Sequence, residues 1–243
     1  MSYGQFCPVA KAMELLDERW TMLIVRELLT GSSRFNELRR GVPRMSPTLL
    51  SKRLNELARA GVVEKRVVDG QTSYDLTPAG QELRTVVEAV GTWGIRWMGE
   101  IGDADLDPKL LMWDIHRNIR HDVVPRGRTV IEFAFSDCPA PLRHWWLVLT
   151  PEDADICDTD PGYPVALTMS TTLRDLTRLW RGDLTWAQAS RADAVSLAGN
   201  SRLRRDFPRW LALSDFAAVP RPASAAAAGL SSSAAVDKPA PPR

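Results

Sequence analysis

The chain has 243 residues, enough for one large or two modest domains. Its 44% hydrophobic and 25% charged residues sit near globular averages, which excludes wholesale disorder, fibrous classes and a disulfide scaffold. A net charge of +1 gives no global sign of a polyanionic partner, so any such partner has to show itself locally.

It does so between residues 32 and 66, where nine Lys and Arg face three Glu, a local +6 against −5 for everything else. No run approaches the roughly 18 to 20 apolar residues of a membrane span, and the N-terminus lacks the pattern of an export signal. Three widely separated cysteines, Cys7, Cys138 and Cys157, fit a reducing compartment. The expectation is a cytoplasmic protein with no membrane partner.

In chain order, Val9 to Leu16 and Trp20 to Leu29 read as helices, the second stopped at Thr30-Gly31. A short third helix around Phe35 and Leu38 ends at Gly41 and Pro43. Ser46-Pro47 then supplies a cap and a first-turn proline for a fourth helix that runs to about Ala60. At 100° per residue Leu50, Leu54 and Leu57 share one stripe, while Thr48, Lys52, Asn55 and Arg59 share the face opposite. Val62 to Val68 and Thr72 to Leu76 read as strands of a hairpin about Asp69-Gly70.

Three helices, the last polar and basic on its outer face, followed by a basic hairpin make a winged helix-turn-helix, whose helix suits the major groove of double-stranded DNA. The DNA-contacting set expected from this reading is Arg34, Arg39 and Arg44 ahead of the helix, Ser46, Thr48, Ser51, Lys52, Arg53, Asn55 and Arg59 on it, and Lys65, Arg66 and Gln71 on the hairpin. The next helix, Pro78 to about Glu100, carries Leu83, Val86, Val87, Val90, Trp93 and Trp97 as a broad apolar stripe. Such a stripe is wider than closing one domain requires, and it points to a homodimer.

The pieces Cys7-Pro8, Arg19-Trp20, RFNEL at 34 to 38, SPTLLSKRLNEL at 46 to 57, AGVVEKR, and YDLTPAGQEL at 74 to 83 carry a family signature. Over residues 7 to 98 the chain resembles the HxlR-type winged-helix transcription regulators of bacteria. The resemblance implies a dimer on an inverted repeat beside genes it represses or activates, with the 46 to 60 helix in the major groove and the 62 to 76 hairpin as wing. The wing tip here, VVDGQTSYD, is short and lacks the proline-bearing loop common in that family. Some such regulators use a cysteine at the place of Cys7 to sense oxidants. Lys11, one turn on, could stabilise a thiolate there, and an inert thiol is the alternative.

EIGDADLDP, from Glu100 to Pro108, reads as a linker. Beyond it lie a helix from Leu110 to His121 and strand-like TVIEFAFS, HWWLVLTP, PVALTMS and DAVSLAG, with a weaker strand near Asp155 to Asp158. Helical Thr171 to Ala192 is broken at Gly182, and a last helix runs from Asn200 to Leu213. STTLRDLTRLWRGDLTWAQA, SLAGN at 196 to 200 and SRLRRDFPRWL together resemble the sterol carrier protein type two fold. That resemblance implies an antiparallel sheet covered by helices around an apolar tunnel. A hydrophobic small-molecule ligand would then meet Phe133, Phe135, Trp145, Leu147, Met169, Trp180 and Trp186, which would equally suit a plain core.

The fold class expected is therefore α+β, with a winged-helix unit at 1–104, a ligand-binding unit at 105–215 and a disordered Ala/Pro/Ser-rich tail at 216–243. Enzymatic readings lack parts: neither a GxSxG elbow nor a phosphate loop is present, and His116 and His121 fall about 140° apart on a helix. The acidic run from Asp153 to Asp160 fits no calcium loop, and no cofactor or metal is expected. Two other readings stay open, a hydrophobic-ligand carrier using the winged helix as an interaction module, and a thiol sensor acting through Cys7.

Overall fold

A computed structural model describes residues 2–98 and 100–222. The first unit runs α1 (Pro8–Leu16), α2 (Thr21–Leu29), α3 (Phe35–Gly41), α4 (Pro47–Arg59), β1 (Val63–Val68), β2 (Gln71–Leu76) and α5 (Pro78–Trp97). The sequence-derived order holds, with no end shifted by more than three residues. Its core is one cluster in which Ile24, Val25 and Leu28 of α2 meet Leu38 of α3, Leu50, Leu54 and Leu57 of α4, and Val63 and Tyr74 of the hairpin. Burying stripes at helical spacing against a two-stranded ribbon holds α4 at a fixed angle on the other helices.

The second unit comprises α6 (Pro108–Arg117), β3 (Thr129–Phe135), β4 (His144–Leu149), β5 (Ala154–Cys157), β6 (Leu167–Thr171), α7 (Leu173–Trp180), α8 (Trp186–Arg191), β7 (Val195–Gly199) and α9 (Ser201–Asp206). The strands form one sheet in the order β5-β4-β3-β6-β7. The expected antiparallel sheet is corrected: β3 and β6 pair in parallel, with Phe133 opposite Met169, and the remaining pairs are antiparallel. The chain leaves β3 by a meander through β4 and β5 and returns to the free side of β3, which fixes the direction of β6.

Alternation places Ile131, Phe133 and Phe135 of β3 with Trp145, Leu147 and Leu149 of β4 on one face. Helices α6 and α7 and the Phe207 and Trp210 rings cover that face. The apolar tunnel is the second correction. Phe133, Phe135, Leu147 and Met169 are fully buried, Trp145 and Trp180 are nearly so, and Trp186 packs on their edge, so all seven belong to a close-packed core.

The third correction concerns the tail. Residues 223–243 lie outside the described residues, but 216–222 are packed rather than free. Phe216 lies against α5 so closely that a Cβ on Gly91 would come within 2.2 Å of its ring. The Arg221 guanidinium donates to the carbonyl of Arg181 at 2.5 Å and pairs with Asp183 at 2.9 Å. Among the described residues no helix is long and apolar enough to cross a membrane, and no cluster of His, Cys, Asp and Glu could hold a metal ion.

Candidate nucleic-acid interface

Helix α4 starts where Ser46 Oγ accepts the Leu49 N–H at 3.3 Å, with Pro47 in the first turn. Burial of Leu50, Leu54 and Leu57 turns Thr48, Lys52, Asn55 and Arg59 outward, all exposed, with Ser46 and Ser51 beside them. Lys52 lies 3.9 Å from Glu56 and its side chain keeps 64% of its exposure, a pairing worth too little to hold it from a phosphate.

Arg53 is a different case. Its side chain is nearly buried, its Nε donates to the Arg19 carbonyl at 3.3 Å, one Nη reaches Glu56 at 2.5 Å, and the other pairs with Glu18. It ties α4 to the turn between α1 and α2 and leaves the outward face. The neighbouring Trp20 is held at φ 78°, in the left-handed region that a bulky residue rarely adopts, with Arg19 over its ring.

The hairpin turns at Asp69 and Gly70, with φ of 51° and 74°. Lys65 is exposed midway along β1 and Gln71 is exposed beside the turn, whereas Arg66 pairs with Glu64 at 2.7 Å and with Asp75 at 3.9 Å. The loop before α3 joins the ribbon: Tyr74 N–H donates to Ser33 O at 2.8 Å, and Arg34 bridges Ser73 with its side chain exposed. Arg39 is exposed and, among the described residues, has no ion pair. Arg44 is committed elsewhere, donating to the Ala104 and Leu106 carbonyls and pairing with Asp107 at 3.4 Å, all on the linker.

Of the thirteen expected residues, the geometry gathers Ser46, Thr48, Ser51, Lys52, Asn55 and Arg59 on one helix, with Arg34, Arg39, Lys65 and Gln71 exposed on the neighbouring elements. Arg44, Arg53 and Arg66 have protein partners. Cys7 is half-buried as the residue before α1, and the Lys11 ammonium pairs with Glu14 at 3.0 Å.

A buried junction absent from the expected set connects this surface to the second unit. Glu27 of α2 is fully buried and accepts from Arg26 at 2.7 Å and from Arg117 of α6 at 2.6 Å. Burial pushes its carboxyl up, but the Arg117 hydrogen bond and the charges of Arg26 and Arg117 outweigh it and hold the pKa below the ordinary value. Asp114, also paired with Arg117, moves the other way because burial dominates. Gly41 at the end of α3 permits the junction: a Cβ there would lie 1.8 Å from the Glu27 carboxylate, and Arg26 donates to its carbonyl at 2.9 Å. A carboxylate three residues after Ile24 and one before Leu28, on the core side of an apolar helix, was the sequence signal for it.

The pattern of the HxlR-like helix-turn-helix family matches residues 15–101. The uncharacterized HTH-type transcriptional regulator YvaP of Bacillus subtilis is 36% identical over 102 residues, covering 40% of this chain and 94% of that protein. The HTH-type transcriptional regulator YodB of the same organism is 34% identical over 91 residues, 36% of this chain and 81% of that one. The solved reduced form of YodB shares 33% identity over 41% of this chain and 100% of its own, with a TM-score of 0.35. With nearly the whole of a regulator such as YvaP contained in its first unit, the chain belongs to the HxlR-like helix-turn-helix family of transcriptional regulators.

Proposed function

We propose that the protein is a sequence-specific regulator that binds double-stranded DNA as a homodimer. The observation that carries this reading is the single outward face of Thr48, Lys52, Asn55 and Arg59 on a rigidly seated α4, flanked by a wing bearing Lys65 and Gln71. Asn55 suits the adenine edge, while Lys52 and Arg59 suit guanine acceptors or phosphates. Support for a dimer comes from α5, where Val86, Val90, Trp93 and Trp97 stay exposed after Leu83 and Val87 have closed the core. Met13 and Leu23 extend the same apolar surface, so a two-fold partner is the economical cover.

The second unit keeps the element order of the sterol-carrier-like reading. Its filled core gives no support to ligand capture there or to the carrier alternative, and its part in regulation is better sought where it touches α3.

The test is binding to the DNA upstream of its own gene against unrelated DNA across salt concentrations. A specific complex is expected, with affinity falling on the order of 10³-fold between 50 and 200 mM salt if some six phosphates are met. Lys52→Ala and Arg59→Ala should each reduce the salt slope or relax the sequence preference. Equal binding to both DNAs, unchanged in these variants, would refute the reading.

A further inference from the structure

Between α3 and the second unit lies a cleft of about 420 Å³, within the size range of small-molecule sites. Both units build it: Arg39 and Arg40 come from α3, Lys109 and Trp113 from α6, Trp145 from β4, and Asp158 from the segment after β5. Three cations thus face one carboxylate. Among the described residues none of the three has an ion pair, and the Arg40 guanidinium instead lies 5.2 Å from the centre of the Trp113 ring.

Trp113 and Trp145 are nearly buried, the Trp113 ring stacking on His116 at 4.9 Å, and the parts of both indoles that reach the cleft add apolar surface to its lining. Excess positive charge and two indoles in one concave place are the recognition chemistry of an aromatic anion.

We propose that this inter-unit cleft binds a small aromatic carboxylate, with the carboxylate on Arg39, Arg40 and Lys109 and the ring against Trp113 and Trp145. Arginine forks and a lysine supply charge-assisted hydrogen bonds, and the indoles exclude water from them. Occupancy also acts on DNA, a part of the proposal that rests on the regulator reading. Arg39 cannot serve ligand and phosphate at once, and α3 leads directly into α4, so each ligand lowers the affinity for the other by the same factor.

The experiment is calorimetric titration of the full chain with 1-naphthoate, with its neutral amide and with inorganic phosphate. Saturable naphthoate binding at least tenfold tighter than either control is expected. Arg40→Gln and Lys109→Met should each weaken it about tenfold, the loss of one charge-assisted contact. Lys109 is exposed, so its variant should keep the fold by circular dichroism, and Lys52→Ala on the DNA face should leave naphthoate binding unchanged. Absent or non-saturable binding, equal affinity for acid and amide, phosphate binding as tight as naphthoate, or indifference to both cleft variants would overturn the site. Naphthoate binding that leaves the affinity for specific DNA unchanged would overturn the coupling. Failure to bind specific DNA at all would sink the regulator reading while the calorimetric result stood.

Discussion

Arg53 and Asn55 stand two positions apart on α4 and face different surroundings, the first buried among carboxylates and the second exposed. At 100° per residue Arg53 borders the Leu50, Leu54 and Leu57 stripe, whereas Asn55 sits among Thr48, Lys52 and Arg59. Arg53→Ala leaves Glu18 and Glu56 without their shared cation, and should lower stability by about 2 kcal/mol in denaturant unfolding. Asn55→Ala should leave stability within about 0.5 kcal/mol and lower the affinity for specific DNA. The basic count in the sequence could not separate Arg53 from Lys52 and Arg59, because charge alone does not say which cation meets a carboxylate. His116 gives a pH test. Its Nε2 meets the Ala154 carbonyl at 2.8 Å, and burial lowers its pKa from 6.5 although that bond and nearby Asp155 oppose the shift. The unfolded chain then takes up a proton first, so stability is fully present above pH 6.5 and falls as pH drops toward the depressed value. A scan of melting temperature from pH 7.5 to 5 should show that loss, and His116→Gln should flatten it.

Helix α5 divides its apolar stripe between two tasks. Leu83 and Val87 pack on the core, Val86, Val90, Trp93 and Trp97 remain outside, and Phe216 returns from the second unit to lie on Gly91. An exposed stripe of two tryptophans and two valines is costly to leave in water, at roughly 25 cal/mol per Å² of apolar surface. Val90→Arg with Trp93→Ser should therefore give a folded monomer by sedimentation velocity, with reduced affinity for a two-fold operator. A chain still dimeric after that change would place the dimer contact elsewhere. The stripe itself was legible from spacing, but its division was not, since that depends on how much of α5 the first unit reaches. The second sheet was legible in the same partial way. Period-two alternation located β3, and strand-like composition located β4, β6 and β7, while the parallel pairing of β3 with β6 follows from the path of the connecting chain.

For the whole molecule the decisive feature is the joint between the units. Glu27, Arg26, Arg117 and Asp114 place charges where water is largely excluded, and Arg44 clasps the linker from the other side. Glu27→Gln should cost about 3 kcal/mol, because it leaves Arg117 short of its carboxylate in a buried place. Glu27→Met combined with Arg117→Met should recover more than half of that loss in chemical denaturation, since a hydrophobic pair avoids the desolvation cost. If the double change is as damaging as the single one, the joint is held by packing around α6 rather than by the ion pair.

Local periodicity, capping residues and the Asp69-Gly70 turn determined the order of elements, the amphipathic helix α4 and the family resemblance, because each is encoded within a few residues of where it acts. Ser46, Pro47 and the Leu50, Leu54, Leu57 stripe mark the start and the buried face of α4 within its own residues, and packing on the rest of the core then stabilises it. Tertiary structure alone decided that Arg44 and Arg53 have protein partners, that the aromatic residues of the second unit fill its core, and that a cationic aromatic cleft opens between α3 and α6. Each of these depends on groups far apart in sequence, such as Arg39 with Trp145 or Glu27 with Arg117. Their proximity is set by how two independently packed cores meet, which no local pattern records.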